Sequence, residues 1–367
     1  MAAAAACALV CAAATLAIRQ RRRHGHLPRV GPPAHAPSIV LEKRIAAAPA
    51  GLYARGDGGL YALPADAIFD GFEAFAASEA ALAGFRARGY VLIRGGFTPA
   101  TTDAARAELE ALIKEKSPAV ASVYYEGEAR RLLVVAGHDV EQQQQQQQQQ
   151  QNWKQKLHLG SVARALPDAL AAAPARWKLV RKVMGFLHSG YPALLATAEQ
   201  RGLVRAAEAI CGGAVSLFQD MAMVKPPAGR EKPWHQDHAY FNIALEQPVL
   251  GVWVALSEVT EHNGCMVVAP VPPSARGPRS HFMRRDWQIC DSEVTAGRLA
   301  GARTPVPMRP GDVLLFDSLL AHGTDTNRSA DHRWALQYHF KNAGCRSTAD
   351  DVPRLVVFGG EGRGATC

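Results

Sequence analysis

The sequence predicts a mainly β protein with supporting helices: a sandwich or jelly roll in the C-terminal half, carried on a helical N-terminal half. Three observations lead there. Beyond Gly213 the chain breaks into short apolar stretches of strand length, punctuated by glycine and proline. Ahead of that point, apolar residues recur at helical spacing in Ala-rich segments. No repeat of solenoid period is present, so residues 78–345 are expected to form one compact domain, with 346–367 as a C-terminal tail.

The elements follow in order. Residues 1–41 read as an address. Ala2 to Ile18 is an apolar run, followed by Arg19-Gln20-Arg21-Arg22-Arg23 with no acid before Glu42. Such a start suits a mitochondrial or plastid presequence, or a membrane anchor at the short limit of a span. Arg19-Gln20, five residues, then His26-Leu27 also resembles an N-terminal peroxisomal signal, so the compartment stays open. Residues 42–77 read as an irregular lead-in. A short helix is expected over Ala80–Arg88, then a strand at Tyr90–Ile93. Thr98-Pro99 places an N-cap and an N1 proline ahead of a helix running to about Lys116, with Ala105, Leu109, Leu112 and Ile113 on one face. Gln142–Gln151 is an uninterrupted glutamine tract, read as a disordered insertion without catalytic role. Helical segments are expected at Ala163–Ala173, Trp177–Leu187 and Pro192–Ile210. Strands are expected at Val215–Phe218, Met221–Val224, Val249–Leu256, Cys265–Ala269, Val313–Phe316 and Trp334–Phe340.

Bulk properties narrow the function classes. The net charge of +8 includes five arginines from residues 1–41, leaving 8 − 5 = +3 for the body. With no basic stripe interleaved with aromatics, nucleic acid is not an expected partner. The seven cysteines are scattered and form no CxxC pair, which argues against a zinc ribbon or a disulfide framework.

The chemistry concentrates in two places. In Trp234-His235-Gln236-Asp237, an extended backbone would aim His235 and Asp237 at one point and turn Gln236 and His238 away. An imidazole and a carboxylate are two ligands of a facial triad, and a histidine from a remote strand would complete it, leaving three open metal positions. His322, after the apolar Leu319-Leu320-Ala321, is that candidate. Arg333 opens an alternating strand whose apolar face is Trp334, Leu336 and Tyr338 and whose other face runs through Ala335 and Gln337. A guanidinium facing inward needs an anion. A dicarboxylic co-substrate fits, as does a structural salt bridge to Asp317 or Asp331.

The set from Phe218 to Phe340 resembles the phytanoyl-CoA dioxygenase family of Fe(II)/2-oxoglutarate oxygenases. The matching pieces are Met221–Pro227, His235-Gln236-Asp237 with Tyr240-Phe241, Val252–Leu256, Asn263–Met266, Arg309–Asp312, and His322-Gly323 through Asn327, Ser329 and Arg333. Gly89–Leu92 fits as well. The resemblance implies a double-stranded β-helix core (jelly roll, cupin-like) supported by N-terminal and inserted helices. It implies iron at His235, Asp237 and His322, with 2-oxoglutarate at Arg333, O2 as the second co-substrate and ascorbate as a supporting reductant. Met221 and Trp253 would contact the co-substrate, or serve as plain core packing. Lys182 occupies a co-substrate lysine position, or is a solvated helix charge. His238, His332 and His339 take the bland reading. Where the family carries a Pro-Gly-Ser/Thr-His turn, this chain reads Pro270–Ala275, which leaves the substrate side open. The expected reaction is hydroxylation of a small molecule (a fatty acyl-CoA, a lipid or a secondary metabolite) with release of succinate and CO2. The basic loop Lys225–Lys232, with Arg230 inside it, reads as solvated charge or as a seat for acyl-CoA phosphates. The rival classes are a catalytically silent jelly-roll binding protein and a zinc hydrolase on the same ligands.

Overall fold

The computed structural model describes residues 63–115, 120, 122–126, 176–187, 190–283, 286–295, 299 and 302–345. The expectations for residues 1–41, for the glutamine tract, for the helix at Ala163–Ala173 and for the tail 346–367 lie outside the described residues. No helix among the described residues is long and apolar enough to cross a membrane.

The first described segment is not an irregular lead-in. Strand β1 (Ile68–Asp70) and helix α1 (Phe72–Ala76) bury Phe72 and Phe75 completely, and α2 (Glu79–Arg88) follows. Helix α2 is capped at both ends. Ser78 accepts from Ala81 N at 3.1 Å, and Gly89 takes the left-handed conformation (φ +83°) beyond the last turn. Arg276, from far along the chain, donates to the terminal carbonyls of Arg86 and Ala87 at 2.9 and 2.7 Å. Strand β2 (Tyr90–Arg94) leads to α3 (Pro99–Lys114), where Thr98 caps and Pro99 sits in the first turn as expected. After β3 (Ser122–Tyr125) and β4 (Val180–Met184), helices α4 (Pro192–Ala198) and α5 (Arg201–Cys211) complete the helical layer.

The rest is largely strand: β5 (Val215–Lys225), β6 (Lys232–His235), β7 (Val249–Ala255), β8 (Met266–Val268), β9 (His281–Met283) and β10 (Trp287–Ile289). Helix α6 (Asp291–Thr295) precedes β11 (Thr304–Val306), β12 (Val313–Asp317), β13 (His322–Thr324) and β14 (Arg333–Asn342). Eight strands form one sheet in the order β1-β2-β12-β7-β14-β5-β4-β3, and four form a second in the order β11-β8-β13-β6. The long antiparallel pairing of β5 with β14 runs from Val215↔Asn342 to Lys225↔Arg333.

Alternation along the strands decides which side each residue serves. Val252, Val254, Trp334, Leu336 and Tyr338 face the helices and join Phe72, Phe85, Leu109 and Leu203 in one core cluster. Tyr90, Leu92, Trp253, Leu314, Phe316 and Ala335 face the other way and pack with Met266, Val268 and Val306 of the second sheet. That second interior is the jelly roll, and the functional side chains open into it.

In place of the expected helix at Trp177–Leu187 the chain makes a 3-10 turn at Arg176–Leu179 and then strand β4. Val180 and Val183 are both buried in the helix-facing core, a spacing that reads as helical along the sequence. Tyr124 pairs with Lys182 and Tyr125 with Val180, so β4 carries one extra residue at Arg181. That bulge brings both valines to one face of a strand. Lys182 is therefore a strand residue on the interior side, opposite Met223.

Candidate metal centre

Strands β6 and β13 are antiparallel neighbours with His235 directly opposite His322. The chain stays extended through Gln236 (φ −117°, ψ 128°) and then enters a tight 3-10 turn at Asp237–Tyr240. Residues 235 and 237 thus point the same way, as their spacing predicts. His322 opens strand β13 after the turn at residues 318–319. The structure brings the three side chains together: one ligand atom from each lies within 4.8 Å of the others, and all three residues are buried.

Hydrogen bonding fixes what these groups offer. His235 Nδ1 lies 2.9 Å from Pro233 O, and His322 Nδ1 lies 2.9 Å from Leu320 O. A carbonyl only accepts, so each Nδ1 donates to its carbonyl and each Nε2 is turned towards the site. The two Nε2 atoms face Asp237 Oδ1 at 3.4 and 3.5 Å. Two imidazoles and a carboxylate thus converge on one small buried volume, a donor set that suits a divalent cation. Burial, reinforced by neighbouring His322, lowers the His235 pKa to about 4, so the ring is neutral and able to ligate. The carboxyl of Asp237 is held well below its ordinary range because the surrounding imidazoles outweigh its desolvation.

Supports surround the triad. Gln236 donates to Gly277 O and Leu319 O at 2.9 and 2.6 Å and accepts from Arg279 N, while its own N–H donates to His281 Nε2 at 3.1 Å. His238 bonds Ser318 Oγ and Ile243 O, both away from the site. Phe316 packs edge-on against His322 with centroids 4.8 Å apart. A β-carbon at Gly251 would meet the tip of the Phe316 ring far inside van der Waals contact, so that glycine makes room for the wall behind His322.

Arg333 is 2% exposed. Its guanidinium lies 4.9 Å from the Trp253 ring centre, and among the described residues its hydrogen bonding is one long contact, Nη1 to Gly264 O at 3.4 Å, with Nε buried and unsatisfied. Asp317 pairs instead with Arg276 at 3.1 Å, so the salt bridge considered for Arg333 does not form with it, and among the described residues no carboxylate pairs with Arg333. Burial lowers the Arg333 pKa to about 10, which leaves it charged at neutral pH. Met221 and Trp253 both stand opposite Gln337 on the interior side. The Lys182 ammonium lies over the Tyr124 ring, 4.3 Å from its centre.

The sequence assigns no site role to Gln337, which donates to Asp237 Oδ2 at 3.1 Å, or to His339, and it misplaces Lys225 and Arg230. Lys225 is not solvated loop charge. It is 7% exposed, stands opposite Arg333 and donates to Thr324 Oγ1 at 2.8 Å and to Asp325 O. Arg230 is likewise largely enclosed, near Glu126 at 3.6 Å and Asp286 at 3.8 Å. His339, read as bland, binds the carboxylate of Asp237 at 2.9 Å. Its signal was the alternation of β14, which carries Arg333 and Gln337 on the same face. Cys211 and Cys265 offer no competing chemistry, since burial pushes both thiols up to about 12.

The phytanoyl-CoA dioxygenase (PhyH) family model matches residues 85–335, a span that contains His235, Asp237, His322 and Arg333 and ends before Gln337 and His339. The chain belongs to that family. Among PhyH-family relatives, the peroxisomal phytanoyl-CoA dioxygenase of Bos taurus is 28% identical over 151 residues, covering 39% of this chain and 44% of that protein. The ectoine dioxygenase of Sphingopyxis alaskensis is 28% identical over 157 residues, covering 38% and 51%. The chain spans about half the length of these curated relatives. Among solved structures, the epimerase SnoN in complex with Fe3+, alpha ketoglutarate and nogalamycin RO has a TM-score of 0.51 at 17% identity, covering 75% of this chain and 85% of that one. That likeness establishes the shared jelly-roll fold.

Proposed function

We propose that the protein is an Fe(II)- and 2-oxoglutarate-dependent dioxygenase that hydroxylates a small organic substrate, with a fatty acyl-CoA or related lipid as the substrate class. His235, Asp237 and His322 would hold the iron. One observation carries the reading: two imidazole Nε2 atoms, from His235 and His322, face the same oxygen of Asp237 at 3.4 and 3.5 Å in a buried site. Iron held there supplies activation of O2 coupled to oxidative decarboxylation of 2-oxoglutarate to succinate and CO2. The residues of this chain bind and exclude. Arg333 offers the distal carboxylate of 2-oxoglutarate a buried planar fork, braced by the Trp253 ring. Met221 and Lys182 stand on the same interior side, in reach of the co-substrate in this reading. Burial of all four principal residues keeps bulk water from the reacting groups.

A zinc hydrolase on the same ligands is the alternative, and the buried guanidinium of Arg333, which has no carboxylate partner among the described residues, favours the oxygenase. The purified protein, supplied with Fe(II), ascorbate, O2 and 2-oxoglutarate, is expected to release succinate, and Asp237→Ala to release none. A screen of acyl-CoAs and free lipids by mass spectrometry is expected to give a product heavier by one oxygen. Succinate release at the wild-type rate in Asp237→Ala would end the proposal, as would turnover that persists without O2.

A further inference from the structure

With His235, Asp237 and His322 taken as the iron ligands of the proposed oxygenase, we infer that Gln337 and His339 are positioning residues that lock Asp237 as a one-oxygen ligand. The two oxygens of Asp237 have separate duties. Oδ1 faces both histidine Nε2 atoms. Oδ2 is turned to β14, where it accepts from His339 Nε2 at 2.9 Å and from Gln337 Nε2 at 3.1 Å. A carboxylate with one free oxygen can swing about its Cβ–Cγ bond and chelate a metal through both atoms. Two donors fixed on the same oxygen resist that rotation.

Both donors come from one rigid strand, two residues apart and therefore on one face. His339 is fully buried and Gln337 is 6% exposed. A carboxylate oxygen only accepts, so His339 donates from the Nε2 that faces Asp237, and its Nδ1 is buried without a hydrogen-bond partner among the described residues. The rings of Phe218 and Phe241 flank it, with centroids 6.1 and 4.9 Å away. An imidazole in an apolar slot with one nitrogen orphaned loses stability. The bond from Nε2 to Asp237 accounts for its being there. Ligation through Oδ1 alone leaves three metal positions open for a 2-oxo acid and O2, whereas chelation by both oxygens would remove one.

The test is Co(II) binding to the full-length apoprotein, read as affinity and as the ligand-field spectrum, in His339→Phe, His339→Gln and Gln337→Leu. Melting temperatures of the apo forms, recorded in parallel, separate lost fold from lost metal. His339→Phe is expected to weaken Co(II) binding about ten- to a hundredfold and to alter the spectrum. His339→Gln, which returns an N–H donor, recovers most of both. Equal affinity and an unchanged spectrum in a folded His339→Phe would overturn the inference. If that variant does not fold, the same result in Gln337→Leu would do so. Failure of the wild-type protein to bind Co(II) through Asp237 would instead overturn the metal centre itself.

Discussion

Burying a guanidinium without a carboxylate beside it costs several kcal/mol, and Arg333 does so against Trp253 and one long bond to Gly264. Replacing it should therefore separate binding from stability. Arg333→Met is expected to raise the KM for 2-oxoglutarate about a hundredfold, roughly 2.7 kcal/mol, while the melting temperature holds or rises. Arg333→Lys keeps the charge and loses the fork, so it should not restore the KM. His281 makes a second residue-level prediction. Burial lowers its pKa to about 3 from the ordinary 6.5, and its Nε2 must stay unprotonated to accept from Gln236 N. The unfolded chain thus binds a proton that the folded chain refuses between those values. Its contribution is complete above pH 6.5 and is lost as pH falls towards 3. Urea midpoints measured across that window should fall with pH, with a shallower slope in His281→Gln. The pairing of His235 with Asp237 and the inward turn of Arg333 were legible from strand alternation, whereas His322 was legible from its place after an apolar run and from the family resemblance. Gln337 and His339 follow from the same alternation. They were passed over because a histidine between Tyr338 and Phe340 reads as core packing.

Elements were legible where one strong signal stood alone. The apolar runs of β2, β7, β12 and β14 could be little but buried strands, and Thr98-Pro99 marks the start of α3 by its own chemistry. Strand β4 was not legible, because its bulge gives two valines helical spacing. Strands β9, β10, β11 and β13 are three residues each, too short to show a period. The segment that holds β1 and α1 reads as punctuation by composition, and only its packing beneath α5 and β2 gives it form. A prediction at this scale concerns β7. Gly251→Ala would push the Phe316 ring out of the space it fills and disturb its edge contact with His322. A loss of about 2 kcal/mol in denaturant unfolding is expected, with weaker metal binding as well. Val252→Ala on the helix-facing side of the same strand should cost stability alone.

Across the whole molecule, the centre ties the two sheets together. His235 and His322 belong to β6 and β13 of the small sheet, and Asp237 leans through Oδ2 on β14 of the large one. A metal at a hundredfold its Kd stabilises the folded state by about 2.7 kcal/mol. Chelation should therefore lower the melting temperature by roughly 5–8 °C for a domain of this size, read by differential scanning calorimetry. Asp237→Ala should melt at the same temperature with and without chelator. The direct opposition of His235 and His322 has one more consequence. Neither imidazole finds the other until a late stretch of chain has doubled back and paired in register with an early one. Iron content in a preparation thus counts molecules that have completed their topology, and a chain stalled short of that closure would pass through the cell empty.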